Sequence, residues 1–192
     1  MHPFFFDGRC SVATAQQTDR DFEALENQIS HENRSDSPVV ESLRRQVANA
    51  MLLYLNYKHY HWQTFGPLFR DLHKLFDRLA SEVFDSIDPL AERVRMIGQN
   101  PPAHPLKLLD LASVAVATPS ATMREMVEEA DRNLVILISE IRKAVRTADE
   151  HDDPGTVDMF SRLVQVHEKH EWWLRDILRT GDGFYSTGAT TR

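Results

Sequence analysis

Three histidines and three candidate acid ligands fall within one apolar stretch of the chain. His59, His61 and His73 lie close to Asp77, and Asp88 and Glu92 follow eleven to fifteen residues later. Helical geometry puts residues four apart on one face, so His73/Asp77 and Asp88/Glu92 each form a candidate chelating pair. Either pair alone resembles an ordinary solvated face. Their arrangement says more. At about 100° per residue, Asp77 and Asp88 fall within about 20° of each other around a helix, while His73 and Asp88 lie about 22 Å apart along it. Groups that far apart cannot share an ion within one chain. They can share one across a two-fold axis, if the helix pairs antiparallel with its copy near residues 80–83, and such an interface creates the site twice. His61 approaches from the same side. Imidazole nitrogens mixed with carboxylate oxygens suit Fe, Mn or Zn, and open coordination positions favour iron with an oxidant. No histidine has Glu three residues before it, so the Glu-x-x-His pattern of centres inside one bundle is absent.

Long helices are needed to position these groups. Ser37-Pro38 reads as an N-cap followed by proline at the first helical position. Val40, Leu43, Val47, Ala50, Tyr54, Tyr57, His61 and Phe65 then recur at helical spacing until Gly66-Pro67. A second helix carries Phe69, Leu72, Leu75, Phe76, Leu79, Val83, Ile87, Leu90, Val94 and Ile97 inward and stops at Gly98. Pro89 lies inside it and predicts a kink or break near Asp85 to Asp88. Residues 99–118 read as a connection with a short helical piece between Leu106 and Val116. Thr118-Pro119 is expected to open a third helix, with Met123 and Met126 as core residues, and Asp153-Pro154 a fourth that closes at Thr180-Gly181. No segment alternates like a strand. The expectation is an all-α, ferritin-like four-helix bundle, with a short extra helix between the second and third long helices.

The bulk numbers fit that picture. The chain has 192 residues, enough for one domain with a sizeable core, and a formal net charge of -7. Such a balance advertises neither nucleic acid nor membrane as a partner. No apolar run reaches the length of a membrane span. The start, MHPFFFDGRC, makes a poor signal peptide. The lone cysteine, Cys10, excludes a disulfide framework within the chain and fits a reducing cytoplasm. Residues 1–36 read as a mobile acidic tail, residues 37–181 as the bundle and residues 182–192 as a C-terminal tail.

The segment His61-Trp62-x-x-x-Gly66-x-x-Phe69-x-x-Leu72-His73-x-x-Phe76-Asp77, followed by Asp88-x-x-Ala91-Glu92-Arg93, resembles the signature of Dps proteins, the mini-ferritins. The resemblance is specific over residues 61–93 and looser over the remaining helices. It implies a hollow homo-dodecamer with a ferroxidase site between subunits. His61, His73 and Asp77 would come from one chain, and Asp88 and Glu92 from its two-fold mate. It implies oxidation of Fe(II), with hydrogen peroxide preferred to dioxygen, and storage of Fe(III) oxide in the cavity. Zinc can stand in for iron. Trp62 would sit beside the site and intercept oxidising equivalents, and Asp153 and Asp158 are candidates for lining three-fold iron pores. The competing readings are a nucleoid-packing DNA-binding protein and a metal-binding or structural assembly without turnover. Members that bind DNA typically use a lysine-rich extension, whereas residues 1–36 contain no lysine, so weak or absent DNA binding is expected. His59 reads as a surface histidine. His167 and His170, three apart, could hold a metal but read as packing and surface groups beside Trp172 and Trp173.

Overall fold

A computed structural model describes residues 37–180 together with Phe22, Ala24 and Leu25. The expectations for tails 1–36 and 182–192 lie outside those described residues, apart from these three. Within them every regular element is helical: α1 (Pro38–Gln63), α2 (Phe69–Met96), α3 (Pro105–Leu111), α4 (Met123–Glu150) and α5 (Pro154–Leu178). None is long and apolar enough to cross a membrane.

α1 begins where Pro38 supplies a preset φ and needs no N–H partner. Ser37 occupies the N-cap position, but its hydroxyl does not cap and is buried without a partner among the described residues. Val40, Leu43, Val47, Leu53, Tyr57 and Tyr60 are buried along α1. α1 packs against α2 on one side and α4 on another, with α3 laid over it. α2 and α5 complete the four-helix bundle and run antiparallel, since Arg93 reaches Asp153 while Glu82 reaches Lys169 and His170. Gly98, with φ 84°, takes the left-handed turn after α2. Gly98 N–H donates to Arg95 and Gln99 N–H to Val94, the pattern that satisfies the last carbonyls of a helix.

Three expectations need correction. α2 is not broken at Pro89: it runs uninterrupted to Met96. Asp85, whose carbonyl loses its partner to Pro89, is exposed, so water can replace the missing N–H. The long helix after the crossover starts at Met123, not at Thr118-Pro119. Thr122 and Glu125 form a reciprocal capping box there, which outcompetes the proline as a start signal. Phe65 and Phe69 do not join the core of the chain, and both remain exposed on the α1–α2 turn.

The crossover is held by buried amides. Asn56 donates to the Ala115 carbonyl at 2.8 Å and accepts from the Ala117 N–H at 2.9 Å. Asn133 exchanges two bonds with Ala115, and Asn49 accepts from the Ser113 N–H. An extended strap cannot pair with itself, so these side chains supply what a neighbouring strand would. They tie the strap to α1 and α4.

Candidate metal centre

The end of α1 and the start of α2 bring His61 and His73 together. Their rings stack with centroids 3.7 Å apart, tilted by 22°. Each ring binds the other residue's backbone. His61 Nδ1 donates to the His73 carbonyl at 2.8 Å, and His73 Nδ1 donates to the His61 carbonyl at 2.9 Å. A carbonyl oxygen can only accept, so each Nδ1 carries a proton and, in the neutral ring, Nε2 is the nitrogen with the lone pair. This is how a protein presents imidazole to a metal, with the distal nitrogen held by a carbonyl. Phe69 stacks on the far side of His73, with centroids 5.0 Å apart, and stiffens the pair.

Asp77 completes the half-site. Its Oδ1 lies 4.0 Å from His61 Nε2, and it also accepts from Lys58 Nζ at 2.8 Å. The Lys58 bond, helped by the two imidazoles, holds the Asp77 carboxyl below the usual carboxylate range. Lys58, one turn before Trp62 on α1, was not picked out by sequence reasoning. Its ammonium stands 5.8 Å from the Trp62 ring centroid, and that ring is 69% exposed. Only the i to i+4 spacing of Lys58 and Trp62 hinted at the contact.

Asp88 and Glu92 project from the same helix and are exposed, and neither has a hydrogen-bond or ion-pair partner among the described residues. The chain does not bring them to the histidines: among the described residues no group of three or more His, Cys, Asp or Glu could hold a metal alone. His59 instead faces the crossover, with Nε2 3.1 Å from the Thr118 carbonyl.

The pore candidates differ from each other. Asp153 is buried as the N-cap of α5, accepting from Thr156 N–H and Oγ1 and from Arg93. Burial opposes its charge, but those donors outweigh burial and hold the carboxyl below the ordinary range. Asp158 is exposed, with its carboxylate 2.8 Å from Arg162. His167 and His170 are not surface groups, since both are fully buried along the core stripe of α5.

The chain as a whole is similar to known proteins. The ferritin-like domain family matches residues 40–184. A DNA protection during starvation protein of Brevibacillus brevis is 40% identical over 136 residues, covering 71% of this chain and 91% of that protein. DNA protection during starvation protein 1 of Deinococcus radiodurans is 36% identical, covering 81% of this chain and 75% of that protein. Among solved structures, Dps from Thermosynechococcus elongatus is 45% identical with a TM-score of 0.77, over 82% of this chain and all of that one. A zinc-soaked Dps from Listeria innocua has 31% identity and a TM-score of 0.70, over 73% of this chain and 95% of that one. With a bundle of this order and a family match across most of its length, the chain belongs to the Dps family of ferritin-like proteins.

Proposed function

We propose that this chain oxidises Fe(II) at a site shared between two-fold-related copies and stores the Fe(III) product inside a homo-dodecameric shell. The reciprocal histidine–carbonyl pairing carries this reading. It leaves two Nε2 lone pairs beside Asp77, a set that suits Fe(II) and also Zn(II) but is one half of a coordination shell. Asp88 and Glu92 of a two-fold mate supply the other half, with Glu92 the firmest anionic ligand.

The surface between the two halves supports the pairing. Phe84 lies on the same face of α2, between Asp77 and Asp88, and is exposed together with Leu55 and Leu109. These residues, with Tyr54, Ile87 and Leu108, line an apolar groove of about 410 Å³. An antiparallel copy of α2 centred near residues 80–83 covers that groove and carries its carboxylates to the histidines.

Fe(II) is the substrate. Each Fe(II) gives up one electron, and hydrogen peroxide takes two and is reduced to the level of water, so one peroxide consumes a pair of ferrous ions. Dioxygen is the alternative oxidant. The carbonyl bonds at Nδ1 orient His61 and His73 so that Nε2 is the nitrogen each offers the metal. Asp77 exchanges Lys58 for the metal. Trp62, exposed beside the site, takes oxidising equivalents that escape. Asp158 is the pore candidate that keeps an exposed carboxylate, while Asp153 would serve a pore through its place at the start of α5. Removing Fe(II) and peroxide together limits radical damage, in keeping with a cytoplasmic protective role.

A DNA-packing role is the second reading, because the relatives are named for DNA protection. The lysine-free first 36 residues and the net charge of -7 disfavour direct phosphate contacts. The deciding experiment is peroxide-driven Fe(II) oxidation by the wild type and by His61→Ala with Glu92→Ala. The variant is expected to lose the fast phase. Equal rates would remove the proposed site from the mechanism.

A further inference from the structure

The interior of the bundle holds a second pair of imidazoles that the shared site does not use. His167 and His170 face inward from α5, at 1% and 0% exposure. Their rings meet edge to face, with centroids 5.7 Å apart. Nδ1 of each is buried with no hydrogen-bond partner among the described residues. Leaving two imidazole nitrogens unpaired in a core is costly, and such a feature calls for something that pairs them.

The state of His170 is fixed by its other nitrogen. Nε2 lies 2.9 Å from Glu82 Oε2 on α2. Glu82 also accepts from Lys169 Nζ and Arg78 Nε, each at 2.8 Å. Burial works against the Glu82 charge, but Lys169, His170 and Arg78 together outweigh it and hold the carboxyl at about 2. An ionised carboxylate only accepts, so His170 carries its proton on Nε2 and its Nδ1 is a bare lone pair. Burial, with the neighbouring His170, pushes His167 down to about 3, so this ring too is neutral and able to act as a ligand. A carboxylate that orients a histidine whose distal nitrogen is bare is the outer shell found around metal-binding imidazoles.

We propose that His167 and His170 form a second metal site within a single chain, taking one Zn(II)-class divalent transition-metal ion through their Nδ1 atoms, with water completing the shell. The ring spacing fits. With Zn–N bonds of about 2.1 Å the ion lies about 3.3 Å from each centroid, so an angle of 110–130° at the metal places the rings about 5.4–6.0 Å apart. The mixture of imidazole and water excludes Ca(II) and Mg(II), which require oxygen ligands throughout. A groove of about 430 Å³ between α2 and α5, lined by Glu82, Asp85, Asp158, Arg162 and apolar residues up to Val166, reaches the carboxylate that orients His170.

The test uses the full-length assembled protein carrying His61→Ala and Glu92→Ala, which silences the shared site. Zn(II) is titrated at pH 7 against a chromophoric chelator. About one tightly held Zn(II) per chain is expected beyond weak surface binding. Adding His170→Phe removes that equivalent, and adding Glu82→Gln instead weakens it about tenfold. Helical content and melting are recorded for each variant. Should His170→Phe fail to assemble, wild-type crystals soaked in Zn(II) give a second reading. An anomalous peak between His167 and His170, separate from the two-fold interface, supports the site. Unchanged Zn(II) binding after His170→Phe, or density there that is a bridging water only, overturns it.

Discussion

Replacing Lys58 by methionine tests how the half-site is kept before metal arrives. Lys58 Nζ and Asp77 Oδ1 are 2.8 Å apart, with side-chain exposures of 20% and 57%. A pair this open to water contributes about 0.2–1 kcal/mol, and the half-buried lysine places it near the upper end. An ion that binds Asp77 through Oδ1, the oxygen nearer His61, competes with that bond. Lys58→Met should therefore tighten metal binding at the shared site by up to about fivefold, the equivalent of about 1 kcal/mol. The effect does not run through protonation. Asp77 loses the donor that holds its pKa down, yet an ordinary aspartate near 3.9 is still ionised at neutral pH. The gain should thus be the same at pH 6.5 and pH 8. Zn(II) competition titrations of the assembled protein measure it, with Lys58→Arg as the charge-retaining control. In an Asp77→Asn background the gain should vanish. Weaker binding in Lys58→Met, or an equal gain without the Asp77 carboxylate, would refute the idea that the two cations compete for one group.

Three further outcomes follow from contacts elsewhere. Asp153→Ala removes an N-cap worth about 1 kcal/mol and strands the half-buried Arg93, for a combined loss of about 2–4 kcal/mol in denaturant unfolding. Because the Asp153 pKa is depressed in the fold, its contribution is present above the unfolded value near 3.9 and fades as pH falls through the folded value. The gap between wild type and variant should begin to narrow below about pH 4 and close only once the pH is under the folded value. Asn56→Ala takes away both side-chain bonds to the crossover strap and should cost about 1–3 kcal/mol; hydrogen exchange should quicken at Ala117 and remain unchanged in the middle of α4. DNA binding should be weak at about 150 mM salt, where few phosphate contacts survive. A saturable mobility shift of duplex DNA under those conditions would contradict it.

The positions of His73, Asp77, Asp88 and Glu92 along α2 were legible because helical periodicity is strict enough to place residues around and along one helix, whereas His61, on α1, meets His73 only through the turn between them. It also implied that the site needs a second copy, since the two ends of the set lie too far apart on one rod. Other features depend on contacts that no local pattern encodes. Asn49, Asn56 and Asn133 look like ordinary polar residues in helices, and only the crossover passing over them explains their burial. The reciprocal histidine–carbonyl bonds depend on how tightly the turn at Gly66-Pro67 brings α1 against α2. The start of α4 was written in the sequence as Thr122-x-x-Glu125, but Thr118-Pro119 offered a competing signal. Pro89 does not break α2, and the exposure of Asp85 gives the freed carbonyl access to water.

The proposed iron site draws its ligands from two chains. Its most direct measurement is anomalous diffraction from crystals of the assembled protein soaked in Fe(II) without oxidant. The account predicts a metal peak at each two-fold interface, bound by His61 and His73 Nε2 and Asp77 of one chain and by Asp88 and Glu92 of its mate. Metal held elsewhere, with that interface vacant or with the histidines and the two acids facing different neighbours, would contradict it.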